Sequence, residues 1–252
     1  MTRGSASQLQ VAAERRGGAA VVRATGSLDR ESAGALRDVL LRCIAGEPAG
    51  IAIDVSRLTV GDDAALDVFV TVWMRGSDPP GIPLALAGPE PALAGMLHGT
   101  GIARLIPVCP DTAAALVAVA SPVPRRRLRV RLARDVGSAA RARQVVAQAC
   151  QDWGLDRFRQ RFRDDARLVA SELVSNALRH ARAAPELRLE WTGEQLVVAV
   201  SDPDPQPPQV LDPPPTVAGG RGLQLVARIA SRWGSAPAAG GGKLVWASLG
   251  PT

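Results

Sequence analysis

The chain has 252 residues, of which 46% are hydrophobic and 21% charged, and this composition excludes an intrinsically disordered protein. Its net charge is +6, but aromatic residues make up only 3% and tyrosine is absent, which disfavours a base-stacking platform for nucleic acid. No apolar run reaches the roughly 18 residues of a membrane span, and the first residues lack a signal-peptide pattern. We therefore expect a cytoplasmic protein with no membrane partner.

A segment rich in proline and arginine, residues 121–127, interrupts both helical and strand patterns. We assign residues 1–120 to a first domain, 121–127 to a linker and 128–252 to a second domain. Residues 1–124 hold 10 basic and 12 acidic side chains, a net charge of −2, whereas residues 125–252 hold 20 and 12, a net charge of +8. Lys243 is the only lysine, which we interpret as a composition bias towards arginine.

The first domain alternates predicted strands and helices, which is typical of a small α/β domain. A helix capped by Asp29 or Ser32 follows the first strand, and an almost wholly apolar segment, residues 64–74, predicts a buried helix. The predicted strands cover residues 19–24, 51–55, 83–87 and 105–108, and the other helices cover 91–97 and 112–119.

The second domain has a different pattern, with long helices and paired strands. Ser138 can cap a helix over residues 138–153, and Gly193 predicts a turn between two strands. We expect helices packed on one face of a mixed sheet. The predicted strands cover residues 128–132, 186–191, 195–201 and 244–249, and the other helices cover 164–181 and 223–230.

The helix predicted over residues 164–181 carries an unusual polar pair. Glu172 and Asn176 are four residues apart, so their side chains lie one turn apart on the same face. Their oxygens suit a magnesium ion that bridges nucleotide phosphates, although a solvated polar flank would have the same pattern. The apolar face of this helix is formed by Ala166, Ala170, Leu173, Ala177 and Ala181.

Two further segments have chemistry that suits a nucleotide. Asp202 ends an apolar strand, where it can accept a proton of an adenine amine or simply form a turn. A glycine-rich segment then precedes a helix, and such segments let the backbone and the helix N-terminus approach a phosphate. Arg221 adds a cation there, and the glycines are Gly219, Gly220 and Gly222.

In this order, the segment Glu-Leu-Val-Ser-Asn-Ala-Leu-Arg-His (172–180), the strand ending at Asp202 and Gly-Gly-Arg-Gly-Leu (219–223) resemble the GHKL ATPase family. The similarity is greatest to the anti-sigma-factor serine kinases, and Gly-Gly-Lys-Leu-Val-Trp (241–246) extends it over about residues 126–250. The resemblance implies a GHKL-type α/β sandwich that binds ATP and Mg²⁺. It makes Glu172 the general base, Asn176 the Mg²⁺ ligand, Asp202 the adenine acceptor, and Gly219, Gly220, Arg221, Gly222 and Leu223 the phosphate end.

The chain departs from this family after Asp202. The family often has Asp-x-Gly-x-Gly, whereas this chain has Asp-Pro-Asp-Pro-Gln at residues 202–206. The two prolines stiffen the segment, and Asp204 adds negative charge. Serine/threonine kinase activity therefore stays open.

In the first domain, residues 53–66 resemble the STAS domain, the α/β fold of anti-sigma-factor antagonists, and the resemblance spans about residues 8–120. Thr-Gly-Ser-Leu-Asp at 25–29 and the segment 99–105 also fit. In that family an Asp-Ser pair begins a helix, and a partner kinase phosphorylates the serine. A gapless alignment puts Asp62 on the aspartate and Asp63 on the serine. Asp63 is then either a permanent substitute for the phosphate or a helix cap.

The leading hypothesis is a partner-switching regulator that binds ATP and a sigma factor or an antagonist-type regulatory protein. The opposite charges of the two domains leave an interdomain contact open, and a homodimer is equally open. The alternative is a catalytically inactive nucleotide-binding switch that acts through protein interactions. A nucleic-acid partner rests on the basic second domain alone and is disfavoured.

Overall fold

The computed structural model describes residues 8–78, 81–122, 125–180, 184–204, 222–237 and 242–251. It divides into two units, residues 1–123 and 124–252, each with its own sheet. None of the helices in these described ranges combines the length and the apolar content that a bilayer crossing requires.

The first unit contains a five-stranded sheet in the order β1-β2-β3-β4-β5. β1 is antiparallel to β2, and every later neighbouring pair is parallel, as expected where helices connect successive strands. The elements are β1 (Gln10–Arg16), β2 (Ala19–Leu28), α1 (Ala33–Ala45), β3 (Ile51–Val60), α2 (Asp67–Gly76), β4 (Leu84–Ala87), α3 (Pro91–Gly99), β5 (Val108–Cys109) and α4 (Thr112–Ala120).

The structure differs from the sequence prediction at both edges of this sheet. β1 was not predicted because it is mostly exposed and lacks an apolar alternation, and it joins β2 through Gly17 and Gly18, whose φ angles are +55° and +87°. At the other edge β5 has only two residues, because the apolar residues Leu105 and Ile106 are buried outside any strand. The strand predicted over residues 105–108 is therefore wrong except at Val108.

The apolar segment predicted as one helix over residues 64–74 has two parts. A 3-10 turn covers Asp63–Leu66, and α2 then continues from Asp67. α2 is buried on nearly all sides, as its apolar sequence predicts. The tight turn sets Asp62 and Asp63 at the beginning of this helical segment.

The second unit contains a sheet in the order β6-β7-β8-β10-β9, in which all pairs of described strands are antiparallel. The prediction of a mixed sheet was wrong, because the direction of a strand depends on how the chain returns to the sheet. The elements are β6 (Arg126–Arg131), α5 (Ser138–Asp152), α6 (Gln160–His180), β7 (Glu186–Trp191), β8 (Leu196–Asp202), α7 (Gly222–Ile229), β9 (Arg232–Pro237) and β10 (Lys243–Leu249).

One face of this sheet packs against α5, α6 and α7, as the sequence predicts. Alternate residues of β8, Leu196, Val198 and Val200, lie in the same hydrophobic cluster as Val169 and Leu173 of α6. β9 was not predicted, because its glycine and proline are unfavourable in strands; as an edge strand it tolerates Pro237 at its last position.

The beginning of α5 corrects a second prediction. Gly137, not Ser138, is the capping residue, and Ser138 is the first residue of the helix. The Ser138 hydroxyl donates to the carbonyl of Ala133, while the Asp135 carboxylate accepts from the Gly137 N–H at 2.8 Å. Asp135 thus forms a turn just before the helix, and the N-cap at Gly137 has no side-chain capping hydrogen bond.

Gly50 provides a stability test of the first unit. A Cβ at position 50 would lie 2.5 Å from Cβ of Val119 and 3.2 Å from Cγ of Pro83. We expect Gly50→Ala to lower the free energy of unfolding by about 1–3 kcal/mol, because a packed core resists added volume. Urea denaturation followed by circular dichroism measures the change.

Gly95→Ala is the matched control, because a Cβ there meets nothing within 4 Å on the exposed side of α3. It should raise the free energy of unfolding by roughly 0.5–1 kcal/mol, since alanine favours a helix interior. Shifts of the same sign for both variants would contradict the packing argument.

Candidate functional site

α6 holds the polar pair predicted from the sequence. It begins at Gln160, one turn earlier than predicted, and its apolar face is buried at Ala166, Ala170, Leu173 and Ala177; Ala181 lies outside the described residues. Asn176 is only 5% exposed and Glu172 is half-buried, so this side of the helix is largely covered. A covered carboxylate and carboxamide on a packed helix are held in position, as a binding site requires.

The Asn176 carboxamide contacts Arg179 on the same helix. Its Oδ1 lies 3.4 Å from Nη2 of Arg179, a long and therefore weak hydrogen bond. The amide oxygen keeps acceptor capacity for a ligand. Within the described ranges no three His, Cys, Asp or Glu side chains converge on one point, so a cation at Asn176 would take further oxygens from its ligand or from water.

Asp202 lies at the end of β8 and is 4% exposed. Its Oδ1 accepts from the Asp204 N–H at 2.9 Å and from Nζ of Lys243 at 3.2 Å. Its Oδ2 is buried and has no hydrogen-bond partner among the described residues. A buried carboxylate oxygen without a donor is costly, so this atom is prepared to accept a hydrogen bond from a ligand.

Burial shifts the pKa of Asp202 upwards, because desolvation disfavours the ionised carboxylate. The hydrogen bond from Lys243, followed by the N–H of Asp204, acts in the opposite direction and lowers the pKa. The charge of this carboxylate therefore depends on the neighbouring ammonium.

Sequence reasoning missed Lys243. It is 3% exposed and follows Gly242 at the beginning of β10. Its Nζ lies 3.3 Å from Oδ2 of Asp204 and 3.2 Å from the Asp204 carbonyl oxygen, in addition to its contact with Asp202. The negative charge that Asp204 adds is thus compensated. The signal in the sequence was the only lysine in an arginine-rich chain, which we had interpreted as composition bias.

The structure brings Glu172 close to the beginning of α7. A Cβ at Gly222 would overlap Oε2 of Glu172, so a larger residue there would require the Glu172 side chain to move. Leu223, the next residue, is buried and anchors the first turn of α7. Gly219, Gly220 and Arg221 lie outside the described residues.

Asp62 and Asp63 of the first unit have different positions in the turn. Asp62 is the N-cap of the 3-10 turn, where it accepts from the Ala64 N–H at 3.0 Å and pairs with Arg30 at 2.7 Å. The hydrogen bond from Ala64, and then that from Arg30, lowers the pKa of Asp62. Asp63 follows as the first residue of the turn and is exposed. The capping side chain is therefore Asp62, and the Asp63 carboxylate lies at the surface.

Comparison with known families gives two matches. A model described as the STAS domain matches residues 10–115, and one described as the histidine kinase-like ATPase domain matches residues 132–249. A search of curated proteins found no match.

Among solved structures, the chain is similar to an anti-sigma factor antagonist from Mycobacterium paratuberculosis, with 25% identity and a TM-score of 0.39. That similarity covers 44% of this chain and 93% of the other. A variant of RsbS from Moorella thermoacetica has 27% identity and a TM-score of 0.38, with 44% of this chain and 94% of the other covered.

The two family matches fall on the two structural units, one on each side of the division at residues 123 and 124. The chain is therefore a fusion of a STAS domain with a histidine kinase-like ATPase domain.

Proposed function

We propose that the second domain binds ATP with Mg²⁺ and that the whole chain is a regulator of the partner-switching type. The observation that carries the nucleotide proposal is Oδ2 of Asp202, a buried acceptor with no donor among the described residues. An adenine amine supplies the missing donor. The match of this half of the chain to the histidine kinase-like ATPase domain supports the same assignment.

The phosphate end of the site is proposed at the beginning of α7. Gly222 leaves room for a close approach beside Glu172, and the free N–H groups of a helix N-terminus favour an anion. Gly219, Gly220 and Arg221 stay predictions of the sequence for this end. Asn176 contributes an amide oxygen to Mg²⁺, which would neutralise phosphate charge when bound.

Glu172 is the proposed general base. Its carboxylate is half-buried and lies against the beginning of α7, close to the proposed phosphates. It would take the proton of an attacking serine hydroxyl while the hydroxyl oxygen bonds to the γ-phosphorus and ADP leaves. A binding switch without turnover is the second candidate, and the glycine-poor corner at Asp202-Pro-Asp204 favours it.

The first domain is proposed to act through protein contacts. Asp63 is exposed at the beginning of the helical segment, where it carries a negative charge and no hydroxyl. Asp63 aligns with the serine that is phosphorylated in the STAS family, so it would give the domain a permanent negative charge at that position. The proposed partner is a sigma factor or an antagonist-type protein; an interdomain contact and a homodimer remain predictions of the sequence.

Isothermal titration of ATP with Mg²⁺ tests the binding site. We expect Asp202→Asn and Asn176→Ala each to weaken binding at least about tenfold, since hydrogen bonds to charged groups contribute roughly 1.5–3 kcal/mol. Glu194→Gln, which removes a carboxylate from an exposed turn, is the control and should bind as the wild type does. Equal affinities for all four proteins would place the nucleotide elsewhere.

Glu172→Gln separates a kinase from a binding switch. The amide keeps the size of the side chain but cannot accept the hydroxyl proton, so ATP binding should persist. Turnover, measured as ADP release or phosphate on a partner protein, should fall by about 10²–10⁴-fold. Slow turnover that is equal in both proteins would exclude Glu172 as the base, and absent turnover in the wild type would favour the binding switch.

Asp63→Ser restores a hydroxyl at the proposed phosphorylation position. Mass spectrometry after incubation with Mg-ATP should find one phosphate on residue 63 of this variant and none there in the wild type. Asp63→Ala removes the same charge without adding a hydroxyl and should stay unmodified. A phosphate that also appears on the double variant Asp63→Ser, Glu172→Gln would contradict transfer within the chain.

A further inference from the structure

Lys243 is the only lysine among 30 basic residues, and it lies in one of the least exposed polar positions of the second domain. Its ammonium contacts Oδ1 of Asp202 at 3.2 Å, the Asp204 carbonyl oxygen at 3.2 Å and Oδ2 of Asp204 at 3.3 Å. An ammonium has three N–H donors, and two of them are hydrogen-bonded to the Asp202 carboxylate and the Asp204 carbonyl oxygen, while its charge also pairs with the Asp204 carboxylate.

The backbone around Lys243 is fixed as firmly as its side chain. Residue 243 is paired with Asp202 across the β8–β10 ladder. Gly242 has a φ of +81°, and a Cβ there would overlap the Asp202 carbonyl oxygen and lie 2.6 Å from Cα of Pro203. The corner Asp202–Asp204 and the beginning of β10 are thus packed backbone to backbone, and the ammonium is held against Oδ1.

This arrangement gives the two carboxylate oxygens of Asp202 different environments. Oδ1 is occupied by Lys243 and by the Asp204 N–H, whereas Oδ2 has no partner among the described residues. An arginine would act differently, because its planar guanidinium pairs with both oxygens of a carboxylate at once. Lysine is the cation that leaves one oxygen available.

Adenine and guanine differ in the hydrogen-bond donors that they present to a carboxylate. Adenine offers one exocyclic amine, which needs a single acceptor oxygen. Guanine offers its N1–H and its 2-amino group side by side, and this pair matches two carboxylate oxygens, while its O6 is repelled by a carboxylate. A carboxylate with one free oxygen therefore favours adenine.

We propose that Lys243 is a specificity-determining residue of the nucleotide site, which selects adenine over guanine by occupying Oδ1 of Asp202 and leaving Oδ2 as the only acceptor. This inference rests on the proposed ATP-binding function. Lys243 acts through Asp202 and does not itself touch the base.

The ammonium also maintains the charge of the acceptor. Burial raises the pKa of Asp202 and Lys243 lowers it, so loss of the ammonium leaves the desolvation uncompensated. Since an ionised carboxylate accepts the hydrogen bond of the adenine amine more strongly than a protonated one, affinity falls as pH decreases through the pKa of Asp202. Without Lys243 this loss should begin at a higher pH.

The experiment is isothermal titration of Mg-ATP and Mg-GTP into the wild type, Lys243→Met and Lys243→Arg, from pH 8 to pH 5. Arg143→Met removes a cation from an exposed position of α5 and is the charge-matched control. We expect the wild type and the control to prefer ATP by at least about tenfold. Lys243→Met should weaken ATP binding, reduce the preference for ATP over GTP by about tenfold, and lose ATP affinity at a higher pH than the wild type does. Lys243→Arg should lose the binding of both nucleotides.

A merely structural role for Lys243 predicts another result. The affinities for ATP and GTP would then fall by the same factor in Lys243→Met. An unchanged ratio of the two affinities would overturn the inference but would not contradict the proposed ATP-binding function. If the wild type binds neither nucleotide, the proposed function fails and this inference fails with it.

The wild-type protein provides a second test that does not depend on the folding of a variant. The triphosphate of 2,6-diaminopurine riboside keeps the 6-amino group and should bind within a few-fold of ATP. Inosine triphosphate has O6 in its place and should bind as weakly as GTP. Equal affinity for ATP and GTP in the wild type would overturn the inference.

Discussion

The ion pair between Lys243 and Asp202 is the interaction on which the candidate site depends. A buried carboxylate at a strand end is unfavourable unless a donor or a cation compensates it, and the register of β8 and β10 brings the only lysine of the chain to that position. The same ammonium also pairs with Asp204, so both acidic side chains at the corner after β8 share one cation. The proposed adenine site follows from this compensation, because only Oδ2 of Asp202 remains to be satisfied.

Glycine and small residues determine how closely the remaining parts approach. The apolar face of α6 packs on the sheet, and Glu172, on the flank of that face, lies against Gly222 at the beginning of α7. Gly242 has the corresponding effect at the other end of the site, where it lets β10 touch the backbone of Asp202 and Pro203. In the proposed function these two contacts define the phosphate end and the base end of one nucleotide.

The STAS domain has two acidic residues, Asp62 and Asp63, at the beginning of the 3-10 turn that precedes α2. Asp62 is bound to the Ala64 N–H and to Arg30, which explains how the turn is capped without Asp63. Asp63 is exposed, and a carboxylate carries a smaller negative charge than the roughly −1.5 to −2 of a phosphate. A domain of this kind would signal by what it binds, and the nucleotide state of the second domain would be the variable part of the regulator.

The sequence by itself determined the two families and their order along the chain, and most helices and central strands, because helical and strand periodicities and motif order are local properties. It also identified Glu172, Asn176 and Asp202 as polar residues on or beside buried elements. It did not reveal β1 and β9, whose edge positions need little hydrophobicity, or the antiparallel direction of β10. Only the tertiary structure decided that Lys243 lies beside Asp202, since residues 41 positions apart meet through strand register, which no local pattern encodes.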